Sequence, residues 1–170
     1  MKTSDIVQEI KSTKLISERK YTFMCAYLFS DRISPYLSML YIKKKVKPNT
    51  ITLHMILSGI IGAALFLMPN IYLKFLGALF IHLWFVLDCS DGEVARYTKI
   101  FSMYGKELDF MAHLINHPLF GFSIFVSLWQ LDRYNVSYLA VIVFISNFLD
   151  YLNRNIYTLD LVANLKENVN

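Results

Sequence analysis

Residues 88–109 read D-C-S-D-G-E-V-A-R-Y-T-K-I-F-S-M-Y-G-K-E-L-D, and they lie between two long apolar runs. The stretch carries three aspartates, one arginine and two glycines: Asp88, Asp91, Asp109, Arg96, Gly92 and Gly105. Acidic residues at the boundary of a membrane are costly to desolvate, so they are usually kept for a function. Binding a metal ion that holds phosphate is the first function to consider.

The composition around this stretch is that of a membrane protein. Of the 170 residues, 55% are hydrophobic, 15% aromatic and 18% charged, whereas about a quarter of an average soluble domain is charged. Apolar runs of about 17–25 residues are long enough to cross a bilayer as helices. We therefore predict an all-α integral membrane protein, a polytopic helix bundle with four transmembrane spans at residues 51–68, 71–87, 105–131 and 136–152. The third span begins at residue 101 at the earliest and is expected to break or bend near Pro118.

An N-terminal amphipathic helix lying in the membrane plane is predicted before the first span. Ser34-Pro35 is typical of a helix start, with serine as N-cap and proline at the first helical position. The apolar residues that follow recur at helical spacing and end in the basic block of residues 43–47. Beside a span, such a block is expected to meet anionic membrane lipids or substrate phosphate, and we predict no nucleic-acid partner.

The N-terminal residues are predicted to lie outside the spans. Residues 4–20 have the pattern of a short surface helix, and the apolar patch of residues 21–29 is too short to cross a bilayer. We divide the chain into an interfacial segment (1–47), a transmembrane domain (48–152) and a polar cytoplasmic tail (153–170). The polar start predicts no cleavable signal peptide. Cys25 and Cys89 stand alone, which argues against a disulfide framework or a thiolate zinc site.

Basic residues predict the orientation of the chain. They precede the first span, separate the second from the third, and follow the fourth, whereas the other side has only Lys74 and Arg133. By the positive-inside rule, residues 88–109 and both termini face the cytoplasm. We expect an integral protein of the cytoplasmic membrane if the source is prokaryotic, with its site on the cytoplasmic side.

The spacing of the aspartates indicates a metal site. Asp88 and Asp91 are three residues apart, so they share one face of a helix, and Asp109 comes from the start of the next helix, one turn beyond Gly105. Three carboxylates near one point suit a hard divalent cation such as Mg²⁺ or Mn²⁺, completed by water and substrate phosphate. The guanidinium of Arg96 suits phosphate. The alternative is an ion-paired helix hairpin in which Arg96 and Lys99 only neutralise the aspartates.

The stretch resembles the signature of the CDP-alcohol phosphotransferase (CDP-alcohol phosphatidyltransferase) family, D-x-x-D-G-x-x-A-R followed after eight residues by G-x-x-x-D-x-x-x-D. Seven positions match, including the gap: Asp88, Asp91, Gly92, Ala95, Arg96, Gly105 and Asp109. Pro48-Asn49-Thr50-Ile51-Thr52 is similar to the P-N-x-[VI]-T opening of the family's first span. The resemblance covers roughly residues 30–150.

The resemblance implies a reaction between a CDP-alcohol donor and a hydroxyl acceptor, one of them a lipid. The acceptor hydroxyl attacks the phosphorus that bears the alcohol, and CMP leaves. At the positions that match the family's metal ligands, this sequence has Asp88, Asp91 and Asp109, which the resemblance therefore implies to be metal ligands. The residues implied to contact the CDP moiety are Gly92, Ala95, Arg96, Gly105 and, more weakly, Asn49 and Thr52.

The chain departs from the family pattern at the fourth aspartate, where it has His113. In the family that carboxylate completes the metal site and is the favoured general base. Histidine can serve as a base, and it is a poorer ligand for Mg²⁺ than for Mn²⁺ or Zn²⁺. Our hypothesis is that His113 is both a catalytic residue, together with Asp109, and part of the metal set. The alternative is a degenerate site in a non-catalytic membrane protein that binds CDP-alcohols or assists assembly.

The second departure is the number of spans, since the family plan usually has six and the sequence predicts four. Three explanations remain open at this point. The chain is a shortened member, or a partner supplies the missing surface, for instance in a homodimer, or the chain is a fragment.

Other polar residues near the motif are predicted to have secondary roles. His82 is expected to be structural, and His117, next to Pro118, to accompany a helix bend. Glu93 and Glu107 are expected on solvated faces, although either could supplement the metal site. Asp150 and Arg154 could hold a phosphate-bearing acceptor.

Overall fold

The computed structural model describes residues 3–12 and 30–167, and every regular element in those ranges is a helix. The predicted interfacial patch of residues 21–29 lies outside the described residues. We number the helices in chain order: α1 (Thr3–Ser12), α2 (Asp31–Lys43), α3 (Pro48–Leu67), α4 (Ile71–Thr98), α5 (Gly105–Trp129) and α6 (Val136–Glu167).

The prediction of four transmembrane spans is confirmed. Helices α3, α4 and α5, and residues Val136–Asn153 of α6, are long and apolar enough to cross a membrane. Pro48 begins α3, where its missing N–H costs nothing because the first turn has no partner for it. Asn70 caps α4 by accepting a hydrogen bond from the backbone N–H of Tyr72 at 2.8 Å. The chain is therefore an all-α, polytopic membrane protein.

Three helices can be compared with the sequence prediction in more detail. The predicted start at Ser34-Pro35 is wrong, because α2 begins at Asp31 and contains Pro35. The third span is not broken, since α5 continues through Pro118 to Trp129. Helix α6 continues beyond the fourth span to Glu167, so a single helix crosses the predicted boundary between residues 152 and 153.

Helix α2 packs on α4 through polar contacts. Ser34 and Ser38 each donate a 2.7 Å hydrogen bond to one carboxylate oxygen of Glu93, which is completely buried. A buried carboxylate needs such donors, because an unpaired one costs far more than a hydrogen bond contributes. The opposite side of α2 exposes the apolar side chains Ile33, Tyr36 and Leu40. Helix α1 packs its buried residues, Ile6, Val7 and Ile10, against Met39 of α2.

The main core lies between α3, α4 and α5. Its buried apolar residues are Ile51, Met55, Trp84, Leu87, Val94 and Ala112. At the end remote from Asp88, Lys74 joins the same three helices by donating hydrogen bonds to Phe66 O at 3.3 Å, Ser127 Oγ at 2.6 Å and Gln130 Oε1 at 2.9 Å. The three helices are thus fixed at one end by Lys74 and along their length by the core, which holds the other end in place for the site.

Close backbone contact between α3 and α4 leads to the first prediction, that Gly77→Ala destabilises the fold by about 1–3 kcal/mol. A Cβ atom at Gly77 would lie 2.7 Å from Gly62 O and 2.7 Å from Phe66 N, both backbone atoms that cannot rotate away. Small residues at such crossings allow membrane helices to approach closely. Thermal unfolding of purified protein in lipid nanodiscs measures the effect.

Gly105→Ala is the matched control for that prediction. A Cβ atom at Gly105 would lie 3.6 Å from Ser102 Cβ, which is an ordinary contact, so we expect no loss of stability. Equal melting temperatures for the two variants would contradict the assignment of Gly77 to a close helix crossing.

Candidate active site

A cavity of about 550 Å³ opens at the end of the bundle where α3 and α5 begin and α4 ends. Residues 100–103, in the segment that connects α4 to α5, form part of its lining. The lining includes all six positions predicted to contact the CDP moiety, together with two of the predicted metal ligands: Asn49, Thr52, Gly92, Ala95, Arg96, Gly105, Asp91 and Asp109. Residues that are far apart in sequence are thus brought to one surface by the packing of three helix ends.

Asn49 and Thr52 of α3 form hydrogen bonds with other parts of the protein and also line the cavity. Asn49 donates a 3.0 Å hydrogen bond from Nδ2 to Ser102 Oγ, which ties the connecting segment to the start of α3. Thr52 donates a 2.7 Å hydrogen bond from Oγ1 to Asp91 Oδ2. The side chain of Thr52 therefore orients Asp91, a contact that its prediction as a nucleotide-binding residue did not include.

Arg96 and Gly92 are adjacent on one face of α4. A Cβ atom at Gly92 would lie 3.2 Å from Arg96 Nη1, so any larger residue at position 92 would displace the guanidinium. Lys106, the second residue of α5, lines the same cavity and is exposed. In the sequence prediction, Lys106 counted only as one of the basic residues between the second and third spans. Two cations in the lining of one cavity suit a ligand with several phosphate charges.

Asp88, Asp109 and His113 form a separate cluster beside the cavity. His113 Nε2 lies 3.0 Å from Asp88 Oδ1 and 3.5 Å from Asp109 Oδ1, and the three ligand atoms lie within 4.8 Å of one another. Two ligands at right angles around an ion, each about 2.1 Å from it, are about 3 Å apart. Two carboxylate oxygens and an imidazole nitrogen at these distances therefore fit a divalent cation.

Asp109 is the residue that belongs to both the cavity and the cluster. Its side chain is 46% exposed, whereas that of His113 is 8% exposed. Asp91 lines the cavity, but it is not among the three residues whose ligand atoms converge. Within the described residues, the side chain that contacts the carboxylates of Asp88 and Asp109 is that of His113 rather than that of Lys99.

His113 is also connected to residues that were predicted to have other roles. Its Nδ1 lies 3.1 Å from His117 Nε2, and His117 Nδ1 lies 2.5 Å from Asp150 Oδ2 on α6. The ring of Trp84 packs edge-on against both histidines, with centroid distances of 4.8 Å to His113 and 5.3 Å to His117. The four-residue spacing of the two histidines was the sequence signal for this pair, but nothing in the sequence indicated the contact between His117 and Asp150.

The two glutamates of the motif occupy different environments. Glu93 is completely buried and bound by two serines of α2, so the expected solvated face at this position is wrong. Glu107 is exposed, as expected, and lines the cavity. The side chain of Arg154, the other suggested acceptor contact, lies outside the described residues.

Fold and site together define a class: a polytopic membrane protein with a cavity lined by carboxylates and cations at one end of its helix bundle. The family model of the CDP-alcohol phosphatidyltransferases matches residues 45–163, which include the cavity, the cluster and all four spans. The chain belongs to the CDP-alcohol phosphatidyltransferase family, and the resemblance seen in the sequence is confirmed. A search of curated proteins gave no match.

Proposed function

We propose that this protein transfers a substituted phosphate group from a CDP-alcohol to an acceptor hydroxyl in a metal-dependent reaction that releases CMP. The observation that carries the proposal is the single cavity that collects the six predicted CDP contacts with Asp91 and Asp109. Family membership supports phosphate transfer from a CDP-alcohol. The metal requirement is supported by the convergence of Asp88, Asp109 and His113.

The cavity walls provide the groups that a CDP donor needs. Arg96 and Lys106 would neutralise the diphosphate, and Asn49 supplies an amide close to the connecting segment. The small residues Gly92 and Ala95 leave the surface of α4 open to the ligand. Fixed cations aimed at a diphosphate stabilise charge that increases on the leaving group during transfer.

The cluster would hold Mg²⁺ or Mn²⁺, which would neutralise the diphosphate and stabilise the CMP leaving group. Asp88, Asp109 and His113 would hold the ion, and Asp91, oriented by Thr52, would complete the acidic wall. In the transfer, the acceptor oxygen forms a bond to the phosphorus that bears the alcohol, and the bond from that phosphorus to the CMP oxygen breaks. The proton of the acceptor hydroxyl passes to a base of the protein.

His113 cannot use the same nitrogen as metal ligand and as base at one time. Its Nε2 faces two carboxylate oxygens and its Nδ1 faces His117, which favours the ligand role over the role of base. Asp109, which faces both the cluster and the cavity, is then the group best placed to receive the proton. Full turnover by His113→Ala would exclude both roles for the histidine.

The position of the cavity relative to the membrane supports a proposal about its orientation and about one of the substrates. The cavity lies at the end of the bundle that carries the basic block of residues 43–47, so we propose that it faces the cytoplasm. One substrate is proposed to be a lipid, because the exposed apolar face of α2 lies at the same end and suits the interface plane. The exposed apolar residues of α6 would contact membrane lipids or a second copy of the chain in a homodimer.

The test is CMP release by purified protein from a panel of CDP-alcohols, with lipid and soluble acceptors and with Mg²⁺ or Mn²⁺. We expect release with one donor and loss of release in Asp91→Asn, which keeps the shape of the side chain but removes its charge. The competing candidate is a non-catalytic binding or assembly protein, which the histidine at position 113 favours. Nucleotide binding without CMP release from any donor would support that candidate and contradict the transferase.

A further inference from the structure

We propose that His117 and Asp150 position His113 for the metal ion. They hold its ring so that Nδ1 carries the hydrogen and Nε2 faces Asp88 and Asp109 with a lone pair. The chain of contacts runs from Asp150 on α6 through His117 to His113 on α5. This inference rests on the metal site of the proposed function and adds two positioning residues to it. Neither is part of the seven matched signature positions.

With both imidazole rings neutral and a metal ion at the inner end, the hydrogen positions along the chain follow from the acceptor at its outer end. An ionised carboxylate only accepts, so the Nδ1 of His117, 2.5 Å from Asp150 Oδ2, carries a hydrogen and donates it. The Nε2 of the neutral ring is then an acceptor. It lies 3.1 Å from His113 Nδ1, which must therefore be the donor of that hydrogen bond.

The consequence for His113 is that its Nε2 presents a lone pair to the cluster. That nitrogen lies 3.0 Å from Asp88 Oδ1 and 3.5 Å from Asp109 Oδ1. Three lone-pair donors directed at one point repel each other unless a metal ion or a proton lies between them. A hydrogen bond from His113 Nε2 to Asp88 Oδ1 is the alternative to the ion at this distance, and metal binding distinguishes the two. A metal-binding histidine usually donates its other N–H to an outer partner, and that partner fixes the ring and raises its basicity.

Packing around the two rings supports a positioning role. Trp84 is completely buried and lies edge-on to both imidazoles, which limits rotation of the rings about their side-chain bonds. The side chains become more exposed along the chain, from 8% for His113 to 24% for His117 and 39% for Asp150. His113 is thus nearly buried, and the hydrogen-bonded chain that holds it begins at Asp150, which is partly exposed.

The experiment measures binding of Mn²⁺ alone to the full-length protein in nanodiscs, by electron paramagnetic resonance. We expect the wild type to bind Mn²⁺ with a nitrogen coupling that disappears in His113→Ala. His117→Leu and Asp150→Ala are each expected to weaken binding about 10–100-fold, the usual effect of removing an outer partner of a ligand. His117→Gln, whose amide oxygen can accept from His113 Nδ1, is expected to recover most of the affinity.

Two further variants separate positioning from a structural role. If Asp150 acts through His117, the double variant His117→Leu with Asp150→Ala will bind Mn²⁺ no more weakly than His117→Leu alone. His54→Gln is the control, because His54 lies on α3 and contacts Tyr41 rather than the cluster. If His117→Leu fails to fold, the half-exposed Asp150 still allows the test through Asp150→Ala and Asp150→Asn.

The outcomes distinguish this inference from the proposed function. Wild-type affinity and nitrogen coupling in His117→Leu and Asp150→Ala would overturn the inference even if CMP release were observed. Absence of Mn²⁺ binding by the wild type would overturn it as well. Weakened binding in both variants supports it, and it would stand even if no CDP-alcohol were turned over.

Discussion

Replacing Asp109 with asparagine is expected to lower kcat for CMP release by about 10³-fold or more. A metal ion supplies several kcal/mol of charge stabilisation in phosphoryl transfer, and about 1.4 kcal/mol corresponds to a factor of ten in rate. Asp109 is the residue that joins the proposed metal cluster to the proposed substrate cavity. Its loss would remove a metal ligand and the best-placed base together, while asparagine keeps the size of the side chain.

Glu107→Gln is the matched control for Asp109→Asn. Glu107 lies two residues before Asp109, in the first turn of α5, and lines the same cavity, but its carboxylate is not part of the converging set. We expect this variant to keep most of the activity, measured as CMP release under the same conditions, with Mn²⁺ binding unchanged. A similar loss of rate in both variants would indicate that the acidic wall acts through its total charge, and would contradict a specific role for Asp109.

The membrane fold was predictable because its determinants are local. A span needs about 20 apolar residues, and the starts of α3 and α4 are marked by Pro48 and Asn70. The start of α2 was missed because Ser34 looks like a cap in the sequence. In the structure its hydroxyl is instead directed at Glu93, a partner 59 residues away whose burial depends on the packing of α2 against α4.

The candidate site, too, could be predicted from the sequence only in part. The spacing of Arg96, Gly105 and Asp109 was sufficient to predict that they lie near each other. Each is close to the end of a helix, and the three residues line one cavity. The contact between His117 and Asp150 spans 33 residues and two helices. No spacing rule connects α5 to α6 at that point, so the sequence alone could not predict the outer part of the metal site.

Exchanging His113 for aspartate is expected to shift the metal preference from Mn²⁺ towards Mg²⁺. Imidazole nitrogen favours Mn²⁺ over Mg²⁺, whereas a carboxylate oxygen suits both and is the ligand that Mg²⁺ prefers. In the wild type one of the three converging ligand atoms is a nitrogen. We therefore expect faster CMP release with Mn²⁺ than with Mg²⁺, and a Mn²⁺-to-Mg²⁺ rate ratio that falls about tenfold in His113→Asp, equivalent to ~1.4 kcal/mol of preference.

The measurement is CMP release as a function of free Mg²⁺ and free Mn²⁺, so that the activation constant and the maximal rate are obtained separately for each ion. His113→Asn is the control, since its side chain is close in size to aspartate but is a weak neutral ligand. It is expected to lose activity with both ions rather than to shift between them. The His113→Asp substitution would also leave His117 Nε2 without its present donor, so the shift should persist when His117→Leu is added.

An unchanged rate ratio in His113→Asp would contradict the ligand role, because a change of donor atom from nitrogen to oxygen would then have no effect on the ion that is bound. His113 Nε2 lies 3.0 Å from Asp88 Oδ1, and the side chain is 8% exposed, so a metal bound to Asp88 would lie close to the imidazole. An unchanged ratio would mean that the aspartates alone hold the ion despite this proximity. In that case the histidine would serve as a hydrogen-bond partner of Asp88, and the contacts of His117 and Asp150 would stabilise the packing of α6 on α5 rather than the metal.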